Sequence, residues 1–229
     1  MSSLPTGLIW PLVILGLYVV SLIIRFCLFR ISWLLFGTTS SGIKIYSFLF
    51  LPGVIIHEMA HFLVAILLRV PTGKIEIFPD EIDEGRVKMG SVQIAKTDFV
   101  RGSLIGAAPL VLGIVLLIVL AQYEAGNGVE NQWSTWSRIY LLVTVSNSMF
   151  VSREDRRGWF GLGLLIVASL VVAFYFLGSE QVWTGLGDYS SELGERINQG
   201  ILTVLKINAV LAAGLWLMYK LIFLVKRKI

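Results

Sequence analysis

The chain has 229 residues, of which 56% are hydrophobic and 15% charged, with a net charge of +4. That balance excludes an ordinary soluble globular domain and makes the bilayer the expected solvent. The basic residues stand at the ends of apolar blocks rather than among clustered aromatics, which argues against a nucleic-acid partner, and the single cysteine, Cys27, excludes an internal disulfide or a thiolate cluster.

Apolar segments at residues 7–24, 45–70, 103–121, 137–150, 159–177 and 207–225 predict an all-α polytopic membrane protein of about six transmembrane helices. A crossing takes about 20 residues, so the fourth segment is short. The first segment lacks the basic leader and cleavage site of a secretory signal and reads as an anchor. Residues 26–36, interrupted by Arg30 and followed by the turn-like 37–42, either extend the first helix or lie in the interface. Pro52 and Gly53 predict a kink one turn before His57, which either admits water or aids packing.

Between the second and third helices, residues 74–78 alternate, and residues 87–94 read as a second strand after the acidic stretch 80–84. A small β-hairpin is the expectation. Gly90 breaks the alternation, which signals a bulge or a close backbone approach, and an open edge there would capture an extended peptide by strand addition. A plain structural hairpin explains the same pattern.

Basic residues flank the connections around residues 69–101 and 153–157 and close the chain at Lys226, Arg227 and Lys228. The positive-inside rule makes those regions cytoplasmic, the C-terminus included. Trp133, Trp136 and Trp183 fit the opposite interface, whereas Arg25, Arg30 and Lys44 disagree with a strict alternation at the first connection. Arg138 and Lys206 lie near helix ends, where snorkelling is expected. The whole chain, 1–229, reads as one membrane-embedded domain, with a core at about 45–155 and accessory helices at 1–44 and 156–229. A bacterial or archaeal plasma membrane is the expected location.

The chemistry sits in the second segment. His57, Glu58, Met59, Ala60 and His61 spell H-E-x-x-H, and on a helix imidazoles at i and i+4 share one face. These are the only two histidines in the chain, and chance placement would give the motif roughly once in a few thousand such sequences. Three ionisable groups within one turn of a membrane helix are costly unless they have a function. Zn2+ suits neutral imidazole, and Glu58 is placed to take a proton from a water that the ion acidifies. A catalytic zinc needs a third protein ligand, and without a further histidine that ligand should be a carboxylate.

Here the chain resembles the site-2 protease family of intramembrane zinc metalloproteases, whose motif N-x-x-P-x-x-x-L-D-G sets a zinc-binding aspartate eight residues after an asparagine. Asn147 and Asp155 have that separation, although Phe150, Glu154 and Arg156 replace the motif's proline, leucine and glycine. The resemblance spans about the central half of the chain, including a helix start at Gly106, Ala107, Ala108 and Pro109. It implies Asp155 as third ligand, and Asn147 as a residue that orients substrate or braces the site; the need for a carboxylate beside two histidines leaves Glu154 and then Asp98 as alternatives. It further implies a site reached from the cytoplasmic side and membrane-spanning segments of other proteins as substrates.

The expected activity is hydrolysis of peptide bonds in or near such segments, with His57, His61 and Asp155 holding zinc and Glu58 as general base. The rivals are a non-proteolytic zinc-binding scaffold of the same fold and a metal transporter, which would want further ionisable residues along a path.

Overall fold

The apolar segments of the sequence form helices because a backbone in hydrocarbon must satisfy its own hydrogen bonds. The computed structural model describes residues 6–76, 80–83, 86–88, 91–122, 132–150, 163–164, 167–169, 171–172, 175 and 192–227. Within these lie α1 (Thr6–Phe36), α2 (Thr39–Leu49), α3 (Leu51–Leu67), α4 (Phe99–Gln122), α5 (Gln132–Ser148) and α6 (Glu192–Arg227), whose buried apolar residues form three clusters. Four short strands, β1 (Thr72–Glu76), β2 (Asp80–Asp83), β3 (Arg86–Lys88) and β4 (Ser91–Ile94), connect α3 to α4.

Three helices are long and apolar enough to cross a membrane: α1 over Leu12–Phe36, α4, and α6 over Asn198–Arg227. A fourth crossing is counted if α2 and α3, bent by 83°, make one broken span. The chain is therefore a membrane protein. Among the described residues the crossings number three or four against the expected six. The fourth predicted segment corresponds to α5, which at 17 residues is shorter than a crossing. The fifth predicted segment lies largely outside the described residues, although residues 163–164, 167–169, 171–172 and 175 within it are helical and exposed.

Large apolar side chains such as Val54, Ile105 and Leu117 are buried, but small and polar residues share the inward faces and many large apolar ones face out. On α3 the inward face carries Gly53, His57, Glu58, Ala60, His61 and Ala65, while Leu63, Ile66 and Leu67 face out. On α4 Ser103, Ala107, Ala108 and Gly113 are buried, and Val111, Val115 and Val119 form an exposed stripe at i, i+4. Small and polar residues at helix contacts with large apolar ones facing outward suit helices solvated by lipid.

Residues 26–36 extend α1, the first of the two readings left open above. Arg30 does not end the helix, because its guanidinium lies over the Phe26 ring, 5.4 Å from the centroid, and can reach the interface. The break predicted at Pro52 falls between α2 and α3, with Phe50 as N-cap and Pro52 in the first turn, where no amide hydrogen is required. The Tyr140 hydroxyl donates to the Leu49 carbonyl exposed there, at 3.0 Å.

Helix α3 ends in a Schellman motif. Val70 N–H donates to the Ala65 carbonyl and Arg69 N–H to the Ile66 carbonyl, with Arg69 at φ 56°. Ala65, Val70 and Ile105 pack together beneath this turn and join α3 to α4. The helix α4 begins at Phe99, not at the Gly106–Pro109 segment, so Pro109 stands inside it.

The hairpin expectation holds in outline and changes in detail. Strands β1 and β4 pair antiparallel, as do β2 and β3. The acidic stretch expected to precede the second strand is itself strand β2, and the register sets Asp80 opposite Lys88 and Asp83 opposite Arg86. A register shift falls between Thr72 and Ile75 on β1. The bulge expected at Gly90 cannot be placed, because Gly90 lies outside the described residues.

Candidate metal site

His57, Glu58 and His61 are 5%, 7% and 6% exposed, so three ionisable side chains occupy one turn of a buried helix face. The two imidazole centroids lie 4.9 Å apart with the ring planes nearly perpendicular, at 84°. The i, i+4 spacing thus brings both rings onto one face, as the motif requires.

The Nδ1 of His61 lies 2.8 Å from the carbonyl oxygen of Ile105 on α4. A carbonyl only accepts, so Nδ1 must carry the hydrogen, and a neutral ring then has its lone pair on Nε2. Metal-binding histidines are oriented in this way, one nitrogen donating to a fixed acceptor while the other meets the ion. The donor chemistry of the pair therefore fits a zinc ion.

Helix α5 closes the other side. A Cβ built on Gly53 would sit 2.2 Å from the Thr144 carbonyl oxygen and 2.4 Å from Ser148 Oγ, so α3 and α5 touch backbone to backbone one turn before His57. Of the two readings of the Pro52–Gly53 kink, the geometry supplies the packing one. Ser148 Oγ donates back to the Thr144 carbonyl at 2.8 Å, which keeps the hydroxyl satisfied at this contact.

Asn147 belongs to the same segment of α5 and is 1% exposed. Its Nδ2 donates to the Val143 carbonyl (2.9 Å) and to Asn208 Oδ1 on α6 (2.5 Å), and Asn208 Nδ2 donates to Ser146 Oγ (2.9 Å). The Tyr46 hydroxyl of α2 donates to the Asn147 carbonyl at 3.0 Å. Asn147 thus ties α5 to both α2 and α6, the geometry of a brace.

Asp155 and its alternative Glu154 lie outside the described residues. Among the described residues no group of three His, Cys, Asp or Glu side chains gathers as a metal-holding set. Asp98, the last alternative, is exposed at the start of α4 and is occupied otherwise. Its Oδ1 accepts the Arg101 amide at 3.0 Å, and its carboxylate meets the Arg101 guanidinium at 3.3 Å. Asp98 caps α4.

Asn208, Tyr46 and the Ile105 carbonyl escaped sequence reasoning. The signal for Asn208 was present, since an amide inside an apolar span is costly unless it is paired with another helix. Arg138 departs from the expected snorkelling: it is 8% exposed and lines a cavity of about 110 Å³ with Ala121, Gly200 and Thr203. Lys206 is exposed, but it stands inside α6 and not near a helix end.

No family model matches the chain, and comparison with curated proteins and with solved structures gives no match. The functional argument therefore rests on the site.

Proposed function

We propose that this chain is an intramembrane zinc metalloprotease of the site-2-protease kind, cleaving peptide bonds in or near membrane-spanning segments of other proteins. The observation that carries the reading is the buried H-E-x-x-H turn on an otherwise apolar helix, with His61 Nδ1 engaged by a backbone carbonyl. A histidine pair and a carboxylate inside a bilayer-solvated bundle are costly without a task.

His57, His61 and Asp155 would hold the ion, and Asp155 reaches this role through the family resemblance. A bound zinc supplies Lewis acidity, polarising the scissile carbonyl and acidifying the attacking water. Glu58 then accepts the water's proton and returns it to the leaving amine. Its burial keeps the proton transfer within a site of low dielectric. Asn147 holds α5 against α2 and α6. Substrate must be unwound before cleavage. The two-stranded β1–β4 ladder, whose outer edges are unpaired among the described residues, offers backbone groups to an extended peptide. The topology that accompanies this reading is multi-pass, in a bacterial or archaeal plasma membrane, with Lys226 and Arg227 holding the C-terminus cytoplasmic.

The test is zinc content and cleavage on purified, reconstituted protein. One zinc per chain is expected in wild type and in Glu58→Gln, with affinity lowered at least tenfold in Asp155→Ala. Cleavage of a library of membrane segments is expected in wild type and absent in Glu58→Gln. Failure of wild type to bind zinc after reconstitution sinks the proposal. Zinc binding without cleavage would instead favour the scaffold, to which the replacement of the motif's proline, leucine and glycine by Phe150, Glu154 and Arg156 already points.

A further inference from the structure

Pro109 stands in the interior of α4, where each amide normally donates to the carbonyl four residues back. Proline has no amide hydrogen, so the carbonyl four residues before it, that of Ile105, is deprived of its helical donor by the sequence itself. That carbonyl is the one 2.8 Å from His61 Nδ1. An orphaned helix carbonyl in a lipid-solvated bundle must find a donor from a neighbouring element, and here the donor is an imidazole of the proposed metal site.

We propose that Pro109 is a positioning residue for that site. By withholding an amide it reserves the Ile105 carbonyl for His61, which selects the Nδ1–H tautomer and leaves the electron pair on Nε2. The zinc part of this inference rests on the metalloprotease reading; the tautomer selection does not.

A neutral histidine has two tautomers, and a metal ligand needs the proton on the nitrogen that does not face the ion. Soluble sites often fix it with a carboxylate or water, but another carboxylate inside the membrane would add a costly charge. A carbonyl freed by proline supplies a fixed, uncharged acceptor. Its position is set by packing one helical turn beyond His61, where Ala65 meets Ile105 and Val70.

The alternative is that Pro109 only bends α4. To separate the two, the full chain would be labelled with 15N-histidine in detergent micelles, free of metal and at about pH 8.5, where imidazole is neutral. With two histidines in the chain, the spectrum contains two rings, assigned with His57→Gln. In wild type His61 is expected to be protonated at Nδ1. In Pro109→Ala the new amide competes for the Ile105 carbonyl. The His61 signals should move toward a tautomer mixture, and zinc affinity should fall about tenfold or more, with helix content unchanged by circular dichroism.

A wild-type His61 protonated mainly at Nε2 overturns the proposal, whether or not the variant folds. So does a folded Pro109→Ala with wild-type tautomer and zinc affinity. If the tautomer changes as expected but neither protein binds zinc, the metalloprotease reading fails and takes with it the role of Pro109 toward the metal, while the tautomer selection stands.

Discussion

Gly53→Ala should destabilise the protein more than its size suggests. The added methyl carbon would lie 2.2 Å from the Thr144 carbonyl oxygen, and ordinary contact begins at 3.4 Å, so α3 and α5 must separate by about 1.2 Å, the difference of the two. The obstacle is backbone, which cannot turn aside as a side chain would. Overpacking of this kind costs about 1–3 kcal/mol, and a rigid partner puts the cost in the upper part of that range. Gly214→Ala on α6 is the control, because nothing lies within 4 Å of a Cβ there. Unfolding in mixed detergent micelles, followed by tryptophan fluorescence, would measure both. Zinc affinity would be read alongside, since His57 lies one turn beyond Gly53 and shares the displacement. Ser148→Ala added to Gly53→Ala should recover only part of the loss, for it removes the 2.4 Å contact and keeps the carbonyl. If Gly53→Ala is as stable as Gly214→Ala, the close crossing of α3 and α5 is refuted.

Two further outcomes concern the supports of the site. Asn208→Leu removes the partner of Asn147 Nδ2 and the donor to Ser146 Oγ, and each interhelical bond in a membrane contributes about 0.6–1.7 kcal/mol. Thermal unfolding should show that loss, and an unchanged midpoint would remove the brace. The Arg101 amide and guanidinium hold the Asp98 carboxyl below its ordinary value of 3.8. A depressed folded value means that the cap stabilises α4 fully above pH 3.8 and loses its effect as the pH falls through the lower folded value. Asp98→Ala should lower the melting temperature at neutral pH and leave less acid sensitivity behind; equal melting curves for the two proteins across that range would dismiss the cap.

What could be read from the sequence was local. The H-E-x-x-H turn, the break at Pro52 and the apolar helices depend on residues within one or two turns of each other, and the structure places His57 and His61 on one face and starts α3 at Leu51. Charged residues were harder to read, because their long side chains have freedom. Residues 26–36 around Arg30 read either as a helix extension or as interface, and α1 continues to Phe36, whereas Arg138 was expected to snorkel and is buried. The acidic run at Asp80 does not read as a strand, and its pairing with Arg86–Lys88 became visible only once the register was known.

The contacts that complete the site are long-range, and that is why they were hidden. Ile105 contributes a backbone carbonyl, which any residue has, so side-chain chemistry at position 105 carries no sign of it. The sign is four residues later, in the proline that leaves the carbonyl without a helical donor. Asn147 was singled out by motif spacing, but its partner Asn208 lies 61 residues away in a segment otherwise read as plain apolar span. In a membrane helix each lost backbone donor and each buried amide demands a partner on another element. Pro109 with His61, and Asn208 with Asn147, are two such demands met, and both converge on the helices that flank the H-E-x-x-H turn.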